Sequence, residues 1–178
     1  DVEGQVKAAD NVHSLIVTIK RTMGADGNAM ALNEINRIAF ELSHSQSIND
    51  KRGAVLLIGH LADLMGDDDG GAGGGGGVLI RYMSYLRAVI PCPDQSVNAM
   101  AVEAIAALLL HAPESIRDAH IQDELERCYD LIRGGSPNEA SLVVALNQIE
   151  AICRLTIPLK PATIEEALAH CEVLARSP

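Results

Sequence analysis

The chain has 178 residues, with 14 Lys+Arg against 24 Asp+Glu and a formal net charge of −10. Hydrophobic residues make up 48%, yet aromatic ones only 2%: Phe40, Tyr82, Tyr85 and Tyr129, with no Trp. This length can bury a sizeable core, and that core must come from Leu, Ile, Val, Ala and Met. Strands, which favour aromatic and β-branched side chains, are disfavoured. An acidic, ring-poor chain lacks the basic patch and stacking platform of a nucleic-acid binder and the polybasic patch of a membrane contact.

Helical periodicity runs through the chain, and no sustained period-2 pattern competes with it. A first helix is expected over 2–23, with Val6, Val12, Leu15, Ile16 and Ile19 at helical spacing and Gly24-Ala-Asp-Gly27 as its end. A second, over 29–43, places Leu32, Ile35, Ile38, Ala39 and Leu42 on one face. A third starts at an N-cap, Asn49, and carries Val55, Leu56, Ile58, Leu61, Ala62 and Met65. Residues 67–77, three Asp followed by a glycine tract, read as a flexible, solvated loop. A fourth helix spans 78–90. Pro91-Cys-Pro-Asp94 is a turn, and Asp94 caps a fifth helix to about His111. A sixth spans 116–133 and stops at Gly134-Gly135; a seventh spans 138–156. Pro158 and Pro161 break the chain, and Thr163 caps an eighth helix to Arg176. The longest apolar run, Ala104 to Leu110, is too short to span a bilayer. The chain begins at Asp1 without a leader and ends at Ser177-Pro178 in mid-rhythm, which reads as a segment of a longer protein.

Helices separated by short breaks suggest stacked antiparallel pairs, and three of them begin alike. Ala54, Ala101 and Val144 correspond, as do Ile58, Ile105 and Gln148, at separations of 47 and 43 residues. That period belongs to HEAT and armadillo units. The expected fold is all-α, a HEAT/armadillo-like α-solenoid over 1–178, with a four-helix bundle plus extra helices as the rival. Its approximate units are a leading helix 1–27, then 28–66, 78–112, 115–157, and 163–178 as the start of the next. The middle unit fits the HEAT pattern best, with Val97, Ala101 and Ile105 after a Pro-Asp turn. HEAT units usually carry a basic residue after that Val; here Asn98 stands there, a departure that bears on the inter-repeat Asp–Arg ladder of some HEAT proteins.

Candidate chemistry is sparse. The glycine tract lacks the Lys and hydroxyl of a phosphate-binding loop and follows acids that repel phosphate. Counting from Asp67, position twelve is Val78 rather than the Glu of a calcium loop. Cys92, Cys128, Cys153 and Cys171 fit no zinc spacing and read as buried reduced thiols. His120 and Glu124, four apart on a helix, read as a surface ion pair. His170 and Cys171 are adjacent and do not share a helix face, so they make no nucleophile–base pair. Glu165 and Glu166 suit a helix's first turn without catalysis. No catalytic, cofactor-binding or metal-ligating residue is assigned, and no cofactor. A helical-bundle enzyme using His and Glu lacks the inward Glu-x-x-His motif it would need.

Three stretches, in order, resemble the N-terminal HEAT region of the TOR (target of rapamycin) kinases. They are Phe40-Glu41-Leu42, Asn49-Asp-Lys-Arg-Gly53 and Arg81-Tyr-Met-Ser-Tyr-Leu-Arg-Ala-Val-Ile-Pro-Cys-Pro-Asp94. His120 to Arg127 and Arg133 to Glu139 are similar in placement to the next repeat, so the resemblance covers roughly Ala31 to Ser177. The chain departs from the family in its longer glycine tract, in Ala54 where the family has a second Gly, and in Ser141 and Leu142 where it has basic residues. The resemblance implies a non-catalytic scaffold segment of a large serine/threonine protein kinase that controls growth signalling, with the kinase residues far downstream. It implies protein partners, including a Raptor-type subunit; the reduced thiols point to a cytoplasmic location, self-association is a further expectation, and nucleic acid and membrane insertion are not expected. The alternative is an independent HEAT or armadillo adaptor, such as a transport or phosphatase scaffold.

Overall fold

The computed structural model describes residues 2–65, 75–133 and 139–155, with isolated positions 165, 168 and 169 beyond them. These residues form α1 (Val2–His44), α2 (Ile48–His60), a 3₁₀ turn (Ala62–Met65), α3 (Gly75–Val89), α4 (Gln95–His111), α5 (Glu114–Arg133) and α6 (Glu139–Cys153). No strand occurs among them, as the shortage of aromatic and β-branched alternation requires. Apart from positions 165, 168 and 169, the expected eighth helix lies outside the described residues, as do residues 67–74 of the Asp/Gly stretch. Gly75, Gly76 and Gly77, expected in the loop, instead begin α3.

The largest departure concerns α1. Two helices were expected, yet helical backbone continues through Gly24 and Gly27. The chain nevertheless turns back on itself there. A straight helix would separate Gln5 from Leu42 by about 55 Å at its usual rise per residue. Instead, both side chains lie within 4 Å of the position a Cβ on Gly53 would take. The reversal is centred near Gly27, where a Cβ would overlap that of Met23. α1 is therefore two arms, 2–23 and 28–44, joined by a bend within one continuous stretch of helical backbone.

Both arms hold α2. The first runs alongside it in the same direction: Gln5 Nε2 donates to the Asn49 carbonyl at 2.8 Å, Asp10 pairs with His60 at 3.1 Å, and His13 meets Asp63 at 3.1 Å. Ala9 and Ile16 are its buried residues, whereas Leu15 points to solvent. The second arm buries Ile35, Ala39 and Ser43. The N-cap of α2 is Ser47 rather than Asn49: the Ser47 side chain accepts from the Asp50 N–H. Asn49 falls inside the first turn, where its Oδ1 accepts from Arg52.

Beyond α1 the helices pair and lean on one another. α3 packs on α4 and α5 on α6, while α2, α4 and α6 pack successively and α1 packs on α3. α2 and α4 run the same way, since Arg52 reaches Asp94 at 3.1 Å and Gly59 lies against Ala104. Their buried positions repeat at a 47-residue interval: Ala54, Val55, Leu57, Ile58, Leu61 and Ala62 match Ala101, Val102, Ala104, Ile105, Leu108 and Leu109. Small residues at 54 and 101 let the helix axes approach closely. Asp94 caps α4 as expected, accepting from the Ser96 and Val97 N–H groups, and its other oxygen receives Arg52. Arg52 of α2 thus contacts Asp94 at the start of α4, although Asn98 is not basic. In α6 the sealed residue is Ala145, next to the half-buried Val144 that the sequence pattern had selected.

Candidate functional site

Two constellations stand out from ordinary aliphatic packing. The first is a polar knot where α3, α5 and α6 meet. Glu124 of α5 is only 1% exposed. Its carboxylate pairs with the Arg87 guanidinium of α3 and accepts from Gln148 Nε2 of α6 at 2.7 Å. Burial, and next the nearby Arg127 charge, hold the Arg87 pKa below its ordinary value. A carboxylate removed from water needs such partners, because an uncompensated buried charge costs several kcal/mol, on the order of 3–5. The expected surface pair of Glu124 with His120 is therefore corrected: the helix turns Glu124 inward, and its partners come from other helices. Gln148 occupies the inner position that Ile58 and Ile105 fill in their own helices, and it is buried because Glu124 accepts its amide proton.

A groove of about 350 Å³ adjoins the knot; Arg87, Cys92, Asn98, Glu124, Cys128 and Gln148 are among its walls. Asn98 closes part of it by donating Nδ2 to the Cys92 carbonyl at 2.8 Å. Burial pushes the Cys128 thiol up to about 12, so the sulfur stays protonated and is a poor nucleophile. Cys92 and Cys128 are buried reduced thiols, whereas Cys153 is exposed, contrary to the expectation of burial; Cys171 lies outside the described residues. Glu124 is ion-paired with Arg87 and accepts from Gln148, and among the described residues no histidine lines the groove. The arrangement pins three helices together.

The second constellation is on the surface. Phe40 of the second α1 arm is 47% exposed. Its ring lies 4.3 Å from that of His44 and 5.6 Å, edge-on, from that of Tyr85 of α3. Tyr85 donates its hydroxyl to Asn36 Oδ1 at 3.2 Å and lies 6.1 Å from the ring of buried Tyr82. Beside Phe40, Arg37 is clasped between Glu34 and Glu41. The Arg37 hydrogen bond also holds the Glu34 carboxyl below its usual pKa range. Three of the chain's four aromatic side chains thus gather at one place. The sequence singled out Phe40 and Tyr85 separately, within two motif pieces; their meeting depends on the packing of α1 on α3, which no local spacing encodes.

Among the described residues no three His, Cys, Asp or Glu side chains converge as a metal site requires. Among them, too, no helix is long and apolar enough to cross a membrane. His170, Glu166 and the Asp67–Asp69 run lie outside the described residues. Over 145 residues the chain is 26% identical to the serine/threonine-protein kinase tor1 of Schizosaccharomyces pombe. The chain is similar to a TOR kinase. The alignment covers 80% of this chain but only 6% of that protein, so it spans a small fraction of the relative's length. No protein-family profile and no solved structure matches the chain. The similarity suggests a TOR-like region, and the all-helical architecture is consistent with the helical-repeat reading.

Proposed function

We propose that this chain is a non-catalytic, HEAT-type solenoid segment that serves protein–protein assembly, as part of the N-terminal helical arm of a TOR-like kinase. The observation that carries this reading is the row α2–α4–α6, with the same buried positions recurring 47 residues apart in its first two members. A helix pair of this size cannot bury its apolar stripe alone; stacked neighbours bury it for one another and leave long outer ridges. The first α1 arm extends the row in the same direction, as the final helix of a preceding unit would. Similarity to the fission-yeast kinase supports the choice of parent. On this reading the parent's phosphoryl-transfer residues lie in another part of that protein, the location is cytoplasmic, and a Raptor-type subunit is among the partners.

The deciding experiment is to sequence the complete reading frame and to isolate the tagged full-length product with its associated proteins. A downstream kinase domain and a co-purifying Raptor-type subunit are expected. A reading frame without kinase signatures would replace this assignment with a free-standing adaptor.

A further inference from the structure

The geometry points to the Phe40–His44–Tyr85 surface as a docking site for a basic segment of a protein partner, anchored by an arginine whose guanidinium lies over the exposed rings and reaches the neighbouring carboxylates. This rests on the protein-assembly reading and deepens it.

Three observations converge. The first is the cost of exposure. Phe40 is 47% exposed, the most exposed of the chain's four aromatic side chains. Large rings with few rotatable bonds are the groups that supply binding energy at protein interfaces. The second is pre-organisation. His44 stacks on Phe40 from one turn along the same helix, and Tyr85 is fixed by its bond to Asn36. The rings therefore need no ordering when a partner arrives. The third is charge. At the rim, Arg37 takes both oxygens of Glu34 and one of Glu41, and the second Glu41 oxygen has no partner among the described residues. With Arg81 one turn before Tyr85 on α3 these four groups balance, so the excess negative charge is that of the chain as a whole. The whole chain carries −10. A second copy of so acidic a chain is repelled, whereas a basic segment is attracted and steered. Ring faces are electron-rich, and a guanidinium is the side chain best suited to stack on them while hydrogen-bonding a carboxylate at the edge.

The test uses the 178-residue chain and synthetic amphipathic helical peptides that differ at one central residue: Arg, norleucine or Glu. NMR would follow the ring signals of Phe40, His44 and Tyr85 during titration. The Arg peptide should move these signals and bind about three- to fivefold more tightly than the norleucine peptide, with the advantage shrinking in high salt. Phe40→Ala should abolish the preference while leaving the thermal unfolding midpoint within a few degrees, because the ring is half exposed. Equal binding of the Glu peptide, shifts centred elsewhere, or no shift at all would overturn the proposal. So would a dimer in sedimentation equilibrium that Phe40→Ala dissolves, which would assign the rings to a second copy. None of these results touches the scaffold assignment, which is decided by the reading frame and by co-purification.

Discussion

Gly27 is required for space rather than for backbone freedom. A Cβ there would overlap Met23, whereas at Gly59 it would rest 3.6 Å from the Ala104 methyl, an ordinary contact. Inside a helix, Gly→Ala usually stabilises by about 1 kcal/mol. Gly59→Ala should follow that rule in urea denaturation, and Gly27→Ala should reverse it, losing roughly 1–3 kcal/mol through overpacking. Equal gains at both sites would show that α1 does not bend there. Tyr82 and Cys128 carry a second residue-scale prediction. Burial raises both, from ordinary values of 10.0 and 9.0 to about 12. Between those limits the unfolded chain has released protons that the folded chain still holds. Stability should therefore be complete below about pH 9 and fall as the pH rises toward 12, by about 1.4 kcal/mol per pH unit for each group once it has ionised in the unfolded state. Denaturation midpoints at increasing alkaline pH would record this. The Tyr82 hydroxyl has no hydrogen-bond partner among the described residues. Tyr82→Phe should thus cost little at neutral pH and flatten the alkaline slope.

Elements were legible where local chemistry decides them, and less so where distant partners do. The Pro-Asp turn and Asp94 cap placed the start of α4 because cap and turn lie within a few residues of each other. Gly24 and Gly27 looked like a helix end, and the chain does reverse there, but helical backbone persists because each arm is held from outside. The first arm is tied to α2 and the 3₁₀ turn by Gln5, Asp10 and His13, the second to α3 by Asn36 and Phe40. Such tertiary ties outweigh a helix penalty of about 1 kcal/mol per glycine. The partners of Glu124 are hidden from the sequence for the same reason: His120 is a neighbour in sequence, Arg87 and Gln148 only in space. Its knot makes α3, α5 and α6 depend on one another. Arg87→Ala or Glu124→Ala should each destabilise by about 3–5 kcal/mol, the former by leaving a buried carboxylate with one partner fewer. Arg87→Ala combined with Glu124→Ala should cost far less than the two single losses added together. A double-mutant cycle reads the difference, and additive losses would mean the pair is not coupled.

At the scale of the whole molecule, stability is set by how the rows share one core. α4 touches α2 and the 3₁₀ turn on one side, α6 on the other, and α3 and α5 across the row. Ala101 sits in that hub with no exposed surface. A Glu side chain there has neither room nor a cation, and burying an unpaired carboxylate costs several kcal/mol, on the order of a small domain's entire stability. Ala101→Glu should therefore abolish cooperative unfolding of the chain as a whole, not merely loosen one helix pair. Leu146→Glu is the control: this leucine lies in the same row, on α6, but is 39% exposed, and its loss should shift the midpoint by only a few degrees. Circular dichroism melts of the two variants distinguish a shared core from independent pairs. If Ala101→Glu left a cooperative transition carrying the ellipticity of α1 and α2, those elements would fold without the hub, and the row would be a chain of separable units.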